Sequence, residues 1–74
     1  MSSRPEFIHA LRGYDVREVD ALVERAERAA ASDDPVLRAS VRHEIHRAAF
    51  TVALRGYDRS QVNGYLQTLA IQLG

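Results

Sequence analysis

The residues of this chain that could do chemistry are arginines, three histidines and a scatter of acids. His43 and His46 stand three apart, and His9 is a third imidazole. On a helix, positions i and i+3 share a face, a spacing that metal sites use. Glu44 lies between the two but points elsewhere on such a helix, so no ligand completes the set and no metal or other cofactor is expected. There is no Cys, hence no disulfide and no thiolate ligand. No nucleophile–base pair, phosphate-cradling loop or paired-carboxylate cleft is visible. A catalytic role is not expected. Arg38, Arg42 and Arg47 fall on one segment and could imitate a DNA-reading helix. The chain has net charge zero, however, and lacks base-reading polar side chains beside those arginines. Nucleic acid is therefore not an expected partner, and a DNA-binding regulator ranks third among the readings.

The strongest feature is a repeat. The six residues Ala-Leu-Arg-Gly-Tyr-Asp occur at Ala10 to Asp15 and again at Ala53 to Asp58. At the same offset of 43, Phe7 matches Phe50, Val19 matches Val62, Asp20 matches Asn63 and Val23 matches Leu66. Two copies are too few for a solenoid, so the chain reads as one duplicated motif. The repeat units span 7–31 and 45–73 within a single domain, 1–74.

Local physics accounts for part of the motif. Asp15 is a strong helix N-cap, and Glu18 three residues on fits a capping box. Tyr14 before the cap and Val19 after it are placed for a hydrophobic staple. Gly13 suits a positive φ in a tight entry. Gly56, Tyr57, Asp58, Gln61 and Val62 repeat every element, so both segments read as helix starts. A helix start needs neither Leu11-Arg12 nor Leu54-Arg55. Either these leucines pack inward and the arginines are solvated, or each pair forms a loop tip. Such a tip would place Leu at the acyl boundary while Arg meets anionic headgroups, with two tips adding avidity.

Those motifs need elements to hold them, and the pattern predicts helices. Val16, Val19, Leu22, Val23, Ala26, Ala29 and Ala30 form one apolar stripe. Ser32-Asp33-Asp34-Pro35 ends it and starts a second helix carrying Leu37, Val41 and Ile45. Phe50 to Leu54 reads as irregular or briefly extended. A third helix follows Asp58 with Val62, Leu66, Leu69 and Leu73, spaced like a coiled-coil seam. Gly64 inside it signals close packing or a weak helix. No strand pair joined by a turn is expected. The predicted fold class is all-α, a small domain of about three helices.

Seventy-four residues support only a thin core, and 11 of the 34 hydrophobic residues are Ala. Oligomerisation would thicken that core, so a homodimer through the first and third helices is expected. Residues 1–34 carry five Arg against eight acids, and residues 35–74 five Arg against two. The halves are thus charge-complementary. No apolar run approaches the ~20 residues of a membrane span, and the N-terminal Met-Ser-Ser-Arg-Pro-Glu-Phe has no signal-like core. The expected location is the cytoplasm, with any membrane contact peripheral and on its inner face.

The spaced set Ile45-His46, Phe50-Thr51, Leu54-Arg55-Gly56-Tyr57-Asp58, Val62-Asn63 and Tyr65-Leu66 resembles the N-terminal domain of the DivIVA family, bacterial scaffolds of cell division and polar growth. The first unit keeps Phe7, Leu11 to Asp15, Val19 and Asp20. The resemblance covers about two-thirds of the chain. It implies that the residue before the Arg, together with the Arg, forms an exposed membrane-binding loop. In this chain those residues are Leu54 and Arg55, with Leu11 and Arg12 as their counterparts. The family usually has an aromatic at the inserting position and continues into a long dimeric coiled coil; here only 16 residues follow Asp58.

The expectation is therefore a non-catalytic, DivIVA-like interaction module. It would be a membrane-peripheral adaptor or modulator of a bacterial scaffold, with an anionic membrane or a full-length DivIVA-like protein as partner. The alternative is a soluble helical protein–protein interaction module with Leu11 and Leu54 buried.

Overall fold

The structure, a computed structural model, describes residues 6–74; the first five residues of the N-terminal stretch read above for a signal lie outside them. Strand β1 (His9–Tyr14) leads into helix α1 (Val16–Ala30). Helix α2 (Pro35–Arg47) follows, then strand β2 (Val52–Tyr57) and helix α3 (Arg59–Leu73). The three expected helices are present. The all-α expectation is corrected: both Leu-Arg-Gly-Tyr segments are strands, and they pair with each other. The register runs in opposite senses, His9 facing Tyr57, Leu11 facing Arg55 and Tyr14 facing Val52, so the ribbon is antiparallel. No turn joins these strands. Two helices separate them in the chain, which is why no hairpin signal marks them.

The ribbon is irregular because its strands cross. Tyr14 also approaches Tyr57, outside the main register. At the crossing, Gly13 lies against the Gly56 and Tyr57 backbone, and Gly56 against the Gly13 and Tyr14 backbone. A Cβ on either glycine would overlap main-chain atoms of the other strand, closer than real Cβ atoms come. The glycines are needed for this approach and not for a positive φ. No described glycine has a positive φ, and the residue that does is Arg12, at 58°.

An approximate twofold relates the two halves, since each cross-contact recurs at the offset of 43. Asp15 N donates to Thr51 O (2.9 Å), and Asp58 N to Ile8 O (2.7 Å). Thr51 N donates to Glu18 Oε1 (2.8 Å), and Ile8 N to Gln61 Oε1 (2.7 Å). Tyr14 Oη donates to Asn63 Oδ1 (3.1 Å), and Tyr57 Oη to Asp20 Oδ1 (2.8 Å). Phe7 packs on Tyr57, and Phe50 on Tyr14, each with ring centroids 5.1 Å apart.

Both long helices start at this ribbon. Both also end at one place, because the Arg38 guanidinium takes Ala30 O and Ser32 O (3.0 Å each) and Gln72 O (2.7 Å). Helices α1 and α3 therefore run parallel. A cation across two helix C-termini meets orphan carbonyls and the negative ends of both dipoles. Arg38 thus has a structural duty, tying the two helix ends together.

Val19, Val23 and Ala26 of α1 meet Val62, Leu66, Leu69 and Leu73 of α3 in one buried core cluster. The seam expected to join two chains is filled within one. Helix α2 runs back along one side of this pair, burying Val41 and setting Ile45 against the core. It lies beside Leu22 of α1 and beside Leu66 and Ala70 of α3. Their offset partners are Tyr65, Val23 and Glu27, where Tyr65 Oη donates to Glu27 Oε2 (2.8 Å). The two halves have diverged so that one side takes an apolar helix and the other holds a polar pair.

Gly64 is different from the crossing glycines. A Cβ there meets nothing within 4 Å, so it marks a weak helix position and not a close contact. Opposite outcomes are expected in denaturant melts followed by circular dichroism. Gly56→Ala should lose at least about 3 kcal/mol, since the clash is with backbone and no rotamer relieves it. Gly64→Ala should gain up to about 1 kcal/mol.

Candidate functional site

The helix-start residues are assembled as a clamp between the halves. Asp15 Oδ1 accepts Glu18 N, and Asp58 Oδ2 accepts Gln61 N, each at 3.0 Å, so both N-caps are as expected. The capping boxes are not. Glu18 and Gln61 do not reach back to their own caps. Glu18 accepts Thr51 N and also Thr51 Oγ1 (2.9 Å), while Gln61 accepts Ile8 N. The Asp15 backbone N–H and the Glu18 carboxylate thus hold both polar groups of one peptide position, Thr51, in the other half. Asp58 and Gln61 do the same to Ile8. Tyr14 and Tyr57 extend the clamp, each half-buried with its hydroxyl on the opposite helix. Val19 and Val62 are fully buried beneath them.

This clamp turns the motif's remaining residues outward. Leu11 is 70% exposed and Leu54 78% exposed. Arg12 and Arg55 are exposed beside them. Leu11 faces Arg55 across the ribbon, and Arg12 and Leu54 fall between that pair and the Gly13–Ala53 pair. The structure therefore brings all four tip residues to one place, at the centre of the ribbon. Exposed leucines of this size gain nothing from folding, whereas transferring one to an apolar phase is worth about 1.5–3 kcal/mol.

Charge is sorted at this end of the molecule. Asp15, Glu18 and Asp58 direct carboxylate oxygens to backbone amides of the clamp, and Asp20 accepts the Tyr57 hydroxyl. Among the described residues, no acid forms an ion pair with Arg12 or Arg55; the one ion pair there joins Arg25 and Glu44 on the flank (2.7 Å). A chain of zero net charge so presents cations and apolar side chains together at the ribbon.

His43 and His46 lie exposed on α2, away from this ribbon in sequence and element, while His9 is on it. Among the described residues no three His, Cys, Asp or Glu gather as a metal set, and no helix is long and apolar enough to cross a membrane. The residue that the sequence reading missed at the tip is His9, whose ring stands edge-on to Tyr57 with centroids 5.3 Å apart. Its position one residue before the repeated segment was the available signal.

Comparison with family models, with curated proteins and with solved structures finds no match to this chain.

Because Leu11 and Leu54 make no core contact, Leu11→Ser with Leu54→Ser should leave the fold intact. Thermal melts of the double variant should show stability within about 0.5 kcal/mol per site of the natural protein. A loss of several kcal/mol would mean that the leucines are buried in solution.

Proposed function

We propose that the protein is a non-catalytic, DivIVA-like interaction module that attaches peripherally to an anionic membrane surface through its crossed ribbon. In that role it acts as an adaptor or modulator of a bacterial cell-division or polar-growth scaffold. The observation that carries the reading is the exposure of Leu11 and Leu54 beside Arg12 and Arg55. An apolar wedge rimmed by arginines is the chemistry of interfacial binding: Leu enters the acyl boundary and Arg meets phosphate. The scaffold association rests on the resemblance of the motif.

Leu54 and Leu11 are modest anchors, and each alone would bind weakly. The ribbon holds the pair in fixed relation, so the second enters at high effective concentration. A version in which the chain pairs with a longer family member through its apolar helix faces is less favoured. The faces of α1 and α3 that such pairing needs are spent on each other. The soluble alternative with buried leucines is disfavoured by their exposure.

Co-sedimentation with phosphatidylglycerol vesicles tests the proposal. The natural protein should pellet, and the folded Leu11→Ser, Leu54→Ser double variant should remain largely in the supernatant. Arg12→Gln or Arg55→Gln should each weaken binding about fivefold, as expected for ~1 kcal/mol per cation near an anionic leaflet. Added salt should weaken the natural protein most. If the natural protein stays in the supernatant at low salt, the ribbon does not bind membranes and its partner is a protein.

A further inference from the structure

The two halves of the ribbon are not chemically equal. A depression of about 230 Å³ opens at the tip, lined by His9, Ala10, Leu11 and Arg55. The offset partners of these residues are Val52, Ala53, Leu54 and Arg12. Three of the four pairs are the same residue type, and only His9 and Val52 differ. One half thus pairs an imidazole with a guanidinium, and the other pairs an isopropyl group with one. The backbone departs from symmetry as well, since Arg12 carries a positive φ and Arg55 does not.

We propose that the depression between His9 and Arg55 is a phosphate subsite and that its counterpart at Val52 is not, so that one half grips a phosphate with two side chains while the other offers Arg12 alone. This rests on the membrane reading for the source of the phosphate, a lipid headgroup. The guanidinium supplies a planar fork of donors suited to two phosphate oxygens. An imidazolium on the opposite wall supplies a further donor and a second charge. Tyr57 fixes the His9 ring at the wall by edge contact. Ala10 and Leu11 complete the lining.

Histidine as a side chain can change charge between pH 5 and 8, so a comparison of two pH values tests whether an imidazole takes part in the subsite. Among the described residues, the charged and titratable groups shown beside His9 are Tyr57, which pairs with it across the ribbon, and Arg55 in the same lining. His43 and His46 belong to α2 and do not line the depression.

The test measures binding to phosphatidylglycerol vesicles at pH 5.5 and 8.0 for three proteins: natural, His9→Val and Val52→His. His9→Val gives the two tips the same side chains, and Val52→His places an imidazole beside the second arginine. Both positions are exposed, so the folds should survive, which circular dichroism verifies. The natural protein should bind about fivefold more tightly at the lower pH, as one added cation predicts. His9→Val should lose that step, and Val52→His should enlarge it. A His43→Gln, His46→Gln variant should keep it. In parallel, inorganic phosphate is titrated at pH 5.5 while the His9 ring protons are followed by NMR; they should shift, and Arg55→Gln should abolish the shift.

A pH step retained in His9→Val overturns the subsite, as does equal vesicle binding by the natural protein at both pH values; in both cases membrane attachment stands. Absence of vesicle binding with a phosphate-dependent His9 shift keeps the subsite, assigns it to a non-lipid phosphate, and removes the membrane reading. Absence of both removes both.

Discussion

The structure depends on one backbone contact, the crossing of two strands at Gly13 and Gly56. Each glycine lies where a side chain would strike the other strand's main chain. Once the strands cross there, the helices that follow them start side by side and point the same way. Two parallel helices sharing a start can bury a common seam, and Val19, Val23, Val62 and Leu66 fill it. The seam then determines where α2 can go, and Arg38 closes the far end by binding carbonyls of both helices. A chain of 74 residues without a cysteine obtains a core in this way.

The motif divides its labour between inside and outside. Gly-Tyr-Asp and the Glu or Gln three residues on act between the halves, where each amide and carbonyl that the crossing exposes finds a partner. Leu and Arg are left outside because those inner groups are so fully engaged. The same division sorts charge. Asp15, Glu18 and Asp58 direct carboxylate oxygens to backbone amides of the clamp, while Arg12 and Arg55 are exposed on its outer side.

Much of this was legible in the sequence, and the failures are specific. The helices follow from apolar spacing, and their caps from Asp15, Asp34 and Asp58. The strands were not legible, because the usual signals are local: alternation over several residues, or a turn joining two runs. Here six residues contain Leu-Arg-Gly-Tyr, and the partner lies beyond two helices. Glu18 and Gln61 fit a capping box by spacing alone, yet their true partners stand 33 and 53 residues away. Gly13 was assigned to a positive φ, the common reason for a glycine in a tight entry; the actual reason was a neighbour that only the fold supplies. Leu11, Arg12, Leu54 and Arg55 stand out in the sequence because a helix start has no use for Leu-Arg, and the structure leaves all four exposed. His9 was overlooked because it flanks the repeat and does not belong to it. The role of Arg38 is not legible in the sequence, since nothing local shows that two helices end beside it.

Duplication within one chain changes what a weak surface motif can do. Two tips on separate chains meet only as fast as the chains associate, and their joint binding falls with dilution. Two tips held by one crossed ribbon are always together, so the avidity of the pair is a property of the fold. Covalent linkage has a second consequence. Tips on identical chains must stay identical, whereas tips encoded separately can diverge. The exchange of His9 for Val52 is such a divergence, as is the polar pair of Tyr65 and Glu27 where the other side carries Leu22 and Ala70. The duplicated chain keeps the twofold where the backbone crossing demands it and abandons it where α2 packs on only one side.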